Sequence, residues 1–471
     1  MKRVASSTLL VLALLVGPGA FVPRPASAGG LPKDTNTIEG LTPEQARSLV
    51  AEHVGVTVEV DNGELIFEDA LSLRGVKALD AETAAALAAY DKGALLLDGL
   101  TTLDAELARP LAEFENVLVL NGLTTLDAEV AAALVQGKAS CLCLDGLTTL
   151  SPAAAAALAR FKGQVILRGL ATVDAEVAAA LTQIKFHALY LPGLAALSPE
   201  AAREFAKFRG PLMLNGLTTL EPEAATALAT CKGGWLFLNG LTTLDATAAT
   251  ALARFRGSLD LGLTALDAAA AAAIARHEGD LHLSLTTLDA AAATALARFQ
   301  GKLVLSLTTL DTAAAAAIAG FEGKGLLLDG LTALDAEVAA TLADFWGQEL
   351  SVMGTFTESV GGPTPLTPEV ARLIRTCAEY RESGASLPSV TALDTPDAVE
   401  IAGILAAIKG PLALPSLRKI SPKTLTALIE KDDISIPLLD TLELIAEPDG
   451  SVTEDFVVPE GFEERQQRQL Q

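Results

Sequence analysis

The sequence predicts an α/β solenoid in which each repeat of 22–24 residues contributes one short parallel strand and one helix. Three observations carry that prediction. A Leu-Thr-Thr-Leu-like motif closes successive units at Leu79, Leu103, Leu126, Leu150, Val173, Leu197, Leu220, Leu244, Leu266, Leu288, Leu310 and Leu334. Ahead of it stands a Leu-x-Leu stretch, whose period of two is that of a strand burying one face. Behind it comes an Ala-rich run with helix-start residues at its front and a Phe and a Gly near its end.

Residues 1–28 read as a secretory signal peptide. Lys2 and Arg3 are basic, Leu9–Val16 is apolar, and Ala26-Ser27-Ala28 offers a small-residue cleavage site. The apolar run falls short of the roughly 20 residues a bilayer span needs, and Pro18 and Pro23 break the stretch after it. The mature chain is therefore expected to be soluble and extracytoplasmic: secreted, periplasmic or at the cell surface. Residues 29–70 are expected to cap the N-terminal end of the array, and Leu41-Thr42-Pro43-Glu44 already imitates a helix start.

Residues 71–350 hold about twelve repeats. Within each, Asn-Gly or Asp-Gly turns the chain after the strand, glycine being expected for its tolerance of positive φ. An Asp or Ser then caps the helix, followed by Ala or Pro and often Glu, as in Asp104-Ala105-Glu106, Ser151-Pro152 and Ser198-Pro199-Glu200. Three helical turns on, a Phe points inward (Phe114, Phe161, Phe208, Phe255, Phe299, Phe321, Phe345). A glycine such as Gly163, Gly210, Gly257, Gly279, Gly301, Gly323 or Gly347 ends the helix. Hydrophobic residues make up 50% of the chain but aromatics only 4%, which suits Ala helices lying close on Leu strands. The units ending at Leu266, Leu288 and Leu310 are 22 residues long and lack the residue before Gly, or its replacement, which predicts a local change of curvature. Helices are wider than strands, so the strand side should be concave.

From 351 to 447 the period stretches, with unit ends near Leu366, Leu393 and Ile420, as expected of degenerate repeats or a C-terminal cap. Gly361-Gly362-Pro363 marks the break. Residues 430–464 hold twelve acids against Lys431 alone, and 448–471 read as an acidic, flexible tail.

The L-x-L-x-G-L-T-T-L unit resembles the leucine-rich-repeat superfamily, in particular its Ala-rich bacterial arrays, strongly over about residues 71–350 and loosely over 351–447. The resemblance implies a solenoid that acts by binding. One departure stands out. Asn121, Asn215, Asn239, Asp98, Asp145 and Asp329 follow the second strand Leu directly, rather than three residues later. That tells against the usual buried asparagine ladder, though not against the solenoid.

The formal charge of −24, or −27 without Lys2, Arg3 and Arg24 of the signal, disfavours nucleic acid and anionic membranes as partners. No catalytic or cofactor motif is present, and no metal spacing, so the chain reads as a non-enzyme without cofactor or metal. Of four histidines, His277 takes the Phe position of its unit, His53 lies in the cap and His187 enters a strand. The row of Asp80, Asp104, Asp127, Asp174, Asp245, Asp267, Asp289, Asp311 and Asp335 invites a calcium reading, but a cap for each helix accounts for it better. Cys231 replaces a core Phe, Cys141 and Cys143 share one strand face, and Cys377 stands alone, a placement that argues against a disulfide framework.

One side chain per unit points away from the core on the strand side: Leu96, Val119, Cys143, Ile166, Tyr190, Met213, Phe237, Asp260, His282, Val304 and Leu327. A flanking column adds Gln164, Trp235, Asp280 and Lys302. Such an apolar row marks an interaction face, unless the C-terminal region or a second copy covers it. Tyr190, Met213, Trp235 and Phe237 form its expected centre, with Asp260, Asp280 and His282 as a polar shoulder. The expectation is a scaffold binding a protein or peptide there. The alternative is a structural envelope or surface protein that self-associates, as a homo-oligomer, through the same face.

Overall fold

The computed structural model describes residues 34–52, 56–60, 65–184, 188–345, 350–352, 360, 364–381, 384–447, 462 and 466. The signal segment, His53, His187, Gly347, Gly361-Gly362-Pro363 and the tail apart from Phe462 and Gln466 lie outside the described residues. Two compact units divide the chain, residues 1–186 and 187–471.

The first unit opens with a helix, Pro43–Glu52, held by a reciprocal cap. The Thr42 N–H donates to Gln45 Oε1 at 2.9 Å and the Gln45 N–H to Thr42 Oγ1 at 3.3 Å. An antiparallel hairpin comes next, β1 (Val56–Val60) and β2 (Leu65–Ser72), and β2 starts a parallel series. That series continues through β3 (Leu95–Leu96), β4 (Val117–Val119), β5 (Cys141–Cys143) and β6 (Gln164–Ile166) in chain order. A helix of seven or eight residues separates each parallel strand from the next, Ala81–Ala88 being the first.

The second unit repeats the plan with eight strands hydrogen-bonded in order. They are β7 (Leu189–Tyr190), β8 (Leu212–Met213), β9 (Trp235–Leu238), β10 (Ser258–Leu261), β11 (Leu281–Leu283), β12 (Lys302–Leu305), β13 (Gly325–Leu328) and β14 (Leu350–Ser351). Every described residue pair in this sheet is parallel and in register, Leu on Leu: Leu236, Leu259, Leu281, Leu303 and Leu326 stack directly and are fully buried. The helices between them, such as Ala246–Leu252 and Ala268–Ile274, bury Ala on the inward side (Ala248, Ala249, Ala270 and Ala271 at 0% exposure), which lets them lie close to strands that carry only Leu. The fold is thus an α/β solenoid of leucine-rich-repeat type.

Beyond residue 384 each unit gains a second strand. β15 (Ala385–Ser386), β17 (Leu412–Ala413) and β19 (Ile434–Ser435) form one parallel sheet. β16 (Ala392–Leu393), β18 (Lys419–Ile420) and β20 (Glu443–Leu444) form another. The closing Leu393 and Ile420 therefore pair as strand residues, where the corresponding Leu of earlier repeats ends a turn.

Two features of the turns correct the sequence expectations. Among the described residues only Gly384 and Gly410 have positive-φ glycine backbones, so the repeat glycines are not there for left-handed conformation. They are there because consecutive turns touch: a Cβ on Gly146 would collide with the Asn121 carbonyl, and one on Gly169 with that of Asp145. The Asn/Asp position before them does form a ladder. Asp98 Oδ1 accepts from the Asn121 N–H at 3.1 Å, Asn121 Oδ1 from Asp145 at 2.9 Å, and Asp145 Oδ1 from Arg168 at 2.8 Å. The short repeats, which lack this residue, tie the turn by backbone instead, Ser284 N–H to Leu261 O at 3.0 Å and Ser306 N–H to Leu283 O at 3.1 Å. Their threonines add a second ladder, Thr286 Oγ1 to Thr264 O at 3.3 Å and Thr308 Oγ1 to Thr286 O at 3.0 Å.

Candidate functional site

Period-two alternation puts one side chain of each strand opposite the Leu core, and the parallel register lines these up across the second unit. Tyr190 pairs with Met213, Met213 with Phe237, Phe237 with Asp260, Asp260 with His282, His282 with Val304 and Val304 with Leu327. All but Leu327 are half-buried, as a face without a full second layer requires. Trp235 starts β9 beside Ser258 of β10, and Asp280 stands on the next turn, its carbonyl accepting from Leu259 N–H at 2.9 Å. Six of the seven predicted residues thus lie on strands of one sheet, and Asp280 lies on the turn that leads into β11.

The centre of this face is aromatic. The Trp235 indole stacks on the Phe237 ring with centroids 5.4 Å apart and planes within 13°. It meets the His282 imidazole edge-on at 5.5 Å and 88°. Trp235 therefore spans from its own strand to one two strands away, bridging the row position that Asp260 occupies. Offset stacking and edge contacts of this kind add to burial, and they hold the indole in place ahead of any ligand.

Asp260 is the one acid in that row. Burial among these rings pushes its carboxyl above the ordinary carboxylate range, opposed by the charge of His282 and by a hydrogen bond from Asn239. With the Asn239 amide turned so that its nitrogen rather than its oxygen faces these acceptors, that nitrogen donates to Asp260 Oδ1 at 2.7 Å and to its carbonyl at 3.2 Å. Asn239 is the site residue that sequence reasoning missed, because the Asn-Gly pair reads fully as a turn. Among the described residues neither Asp260 nor Asp280 forms an ion pair, although Lys302 stands one strand beyond Asp280.

In the first unit the same row departs from the expectation of an outward face. Leu96, Val119 and Cys143 are at 0% exposure and form a second small core with Ala70, Ala94 and Cys141, flanked by half-buried Val117 and Ile166. Alternation gives the face a side chain takes but not what lies over it. No disulfide joins the four cysteines; Cys141, Cys143 and Cys377 are buried and Cys231 half-buried. Contact with the Cys141 thiol, followed by burial, raises the Cys143 pKa well above the usual thiol value, and burial pushes Cys231 up to about 12. Both shifts favour the neutral thiol of Cys143 and Cys231 over the nucleophilic thiolate. Apart from Asp127, the aspartate row is taken up in capping: Asp245, Asp267, Asp289 and Asp311, for example, each accept a backbone N–H at 2.7 or 2.8 Å.

No helix among the described residues is long and apolar enough to cross a membrane. No protein-family profile matches the sequence, and no curated protein matches it. Solved structures do. A chain of the TLR13–ssRNA13 complex is similar at 15% identity over 80% of this chain and 62% of its own length, with a TM-score of 0.45. A chain of the Drosophila Toll–Spatzle complex matches at 16% identity over 75% of this chain and 48% of its own, TM-score 0.32. An internalin from Listeria monocytogenes matches at 12% identity over 88% and 94%, TM-score 0.25. The present chain thus spans less than two thirds of the first two.

Proposed function

We propose that this chain is an exported, non-enzymatic repeat scaffold that binds a protein or peptide on the strand face of its second unit. The observation that carries the reading is the Trp235–Phe237 stack, two large rings left half-buried on a sheet face at the middle of an apolar row. Trp and Tyr dominate interface energetics because they desolvate large areas at little conformational cost. Here Tyr190, Met213, Trp235 and Phe237 supply the anchors, and Asp260, Asp280 and His282 the polar rim. Export rests on the signal-like residues 1–28.

The test compares the full chain with Trp235→Asp/Phe237→Asp, first by light scattering and then by selection from a random-peptide display library. The wild type is expected to run as a monomer and to enrich peptides, and the double variant to stay folded and enrich none. Equal enrichment by both removes this face from binding. A wild-type dimer that the double variant dissociates transfers the face to self-association.

A further inference from the structure

Along the row from Tyr190 to Leu327 every residue but Asp260 is apolar or aromatic, and Asp260 sits at the centre of that stretch; buried Ser351 ends the row on β14. Asp260 lies between Phe237 and His282 in register, bridged by Trp235, where a β-branched or aromatic residue would serve a strand better. A half-buried carboxylate is costly unless a cation or several donors compensate it. Its hydrogen-bond donor here is a neutral amide, from Asn239, and His282 lies beside it without an ion pair. The titratable group that acts on it is His282, its register partner on β11; Asp280 precedes that strand and Lys302 opens β12 in register with Asp280, and no ion pair joins any of these among the described residues.

We infer that this face anchors a lysine or arginine side chain of its partner, its stem or guanidinium against Trp235 and Phe237 and its charged end at the Asp260 carboxylate. The inference rests on the strand-face reading proposed for this unit and deepens it. Each part of the geometry suits that group. The face of an indole or phenyl ring attracts a cation, most strongly where water is thinned. The apolar stem of a lysine covers ring surface while its ammonium reaches a polar group beyond. Arg and carboxylate form short, charge-assisted hydrogen bonds. Asp280, at the same edge, adds negative charge, and a chain of formal charge −24 draws cationic partners toward it.

Competing occupants fit less well. A purely apolar side chain would bury Asp260 further without compensation. An anion would meet two carboxylates and a strongly acidic chain. A second copy would bring that same acidity against itself.

The experiment uses the same display library, with the full chain and its Asp260→Asn variant as baits. Asparagine keeps the shape and removes the charge. Asp260→Asn should fold with an unchanged or higher urea midpoint, because a neutral amide is cheaper to half-bury. Peptides selected by the wild type should carry Lys or Arg well above their share in the unselected pool. Asp260→Asn should still enrich peptides but without that bias. For one selected peptide, replacing its basic residue with norleucine should weaken binding to the wild type about tenfold, and to Asp260→Asn far less. Selection without basic bias, or a bias that survives Asp260→Asn, overturns the inference and leaves strand-face binding standing. Failure of the wild type to enrich anything beyond Trp235→Asp/Phe237→Asp overturns both.

Discussion

His277 stands in a column of phenylalanines. Its ring lies parallel between Phe255, at 6.3 Å, and Phe299, at 6.4 Å, and Phe321 extends the column with its ring tilted 41° to that of Phe299. It is 2% exposed, and neither ring nitrogen has a partner at hydrogen-bonding geometry. Burial lowers its pKa below 6.5, with the nearby Gly257 carbonyl the largest opposing influence. The folded chain therefore keeps the imidazole neutral while the unfolded chain takes up a proton once the pH drops below 6.5. The contribution of this residue to stability is complete above that pH and is lost as the pH falls toward the depressed folded value. His277→Phe is expected to raise stability at neutral pH and to remove up to about 1 kcal/mol of the loss between pH 6.5 and 5.5. Urea unfolding of both proteins at the two pH values measures it, and parallel pH dependence would remove His277 as the cause. The larger ring has room, since the tips of Phe255, His277 and Phe299 lie over Gly257, Gly279 and Gly301 in the same way. The sequence shows the substitution, because His277 interrupts a regular Phe column. It does not show Asn239 reaching Asp260 or the burial of Leu96, Val119 and Cys143, since both depend on neighbours outside the repeat pattern.

Each helix of the array is about two turns long, too short to be stable alone, so its ends matter as much as its length. Asp289 accepts from the Ala292 N–H at 2.7 Å, satisfying one of the four donors that a helix start leaves open. Asp127 holds the same place in its repeat but makes no capping bond with its side chain. Asp289→Ala is expected to cost about 1 kcal/mol and Asp127→Ala only a few tenths, which the urea midpoints of the two variants would resolve. Equal losses would mean that the carboxylates act by charge alone. Helices and strands are legible in the sequence because cap, Ala run and Leu-x-Leu each announce themselves. The second strand of the C-terminal units is not. Leu393 and Ile420 carry the same signature as turn residues upstream, and only the chain downstream of them decides that they pair. The glycine turns are legible as places but not as causes, since a close approach between repeats leaves no mark within one repeat.

The two units are built from contacts that run chiefly from each repeat to the next, the bond pattern of a one-dimensional array. In the second unit the 22-residue repeats join by the same atoms every time: backbone N–H to the preceding strand's last Leu, and Thr Oγ1 to the preceding Thr carbonyl. Each such repeat starts with Asp after Leu. Excising residues 289–310 would join Leu288 to Asp311, a junction the chain already uses, and would seat β13 on β11 and Phe321 on His277. The shortened protein should fold cooperatively and keep Trp235, Phe237, Asp260 and His282 together. Circular dichroism melting together with Trp235 fluorescence in a Trp346→Phe background would show it, and a molten or aggregated product would mean that the repeats are not equivalent. The ladders therefore act as a standard coupling. A gene encoding such a chain can gain or lose a whole unit by recombination without redesigning either flank, and the length of the array becomes a heritable variable that selection can adjust independently of its chemistry.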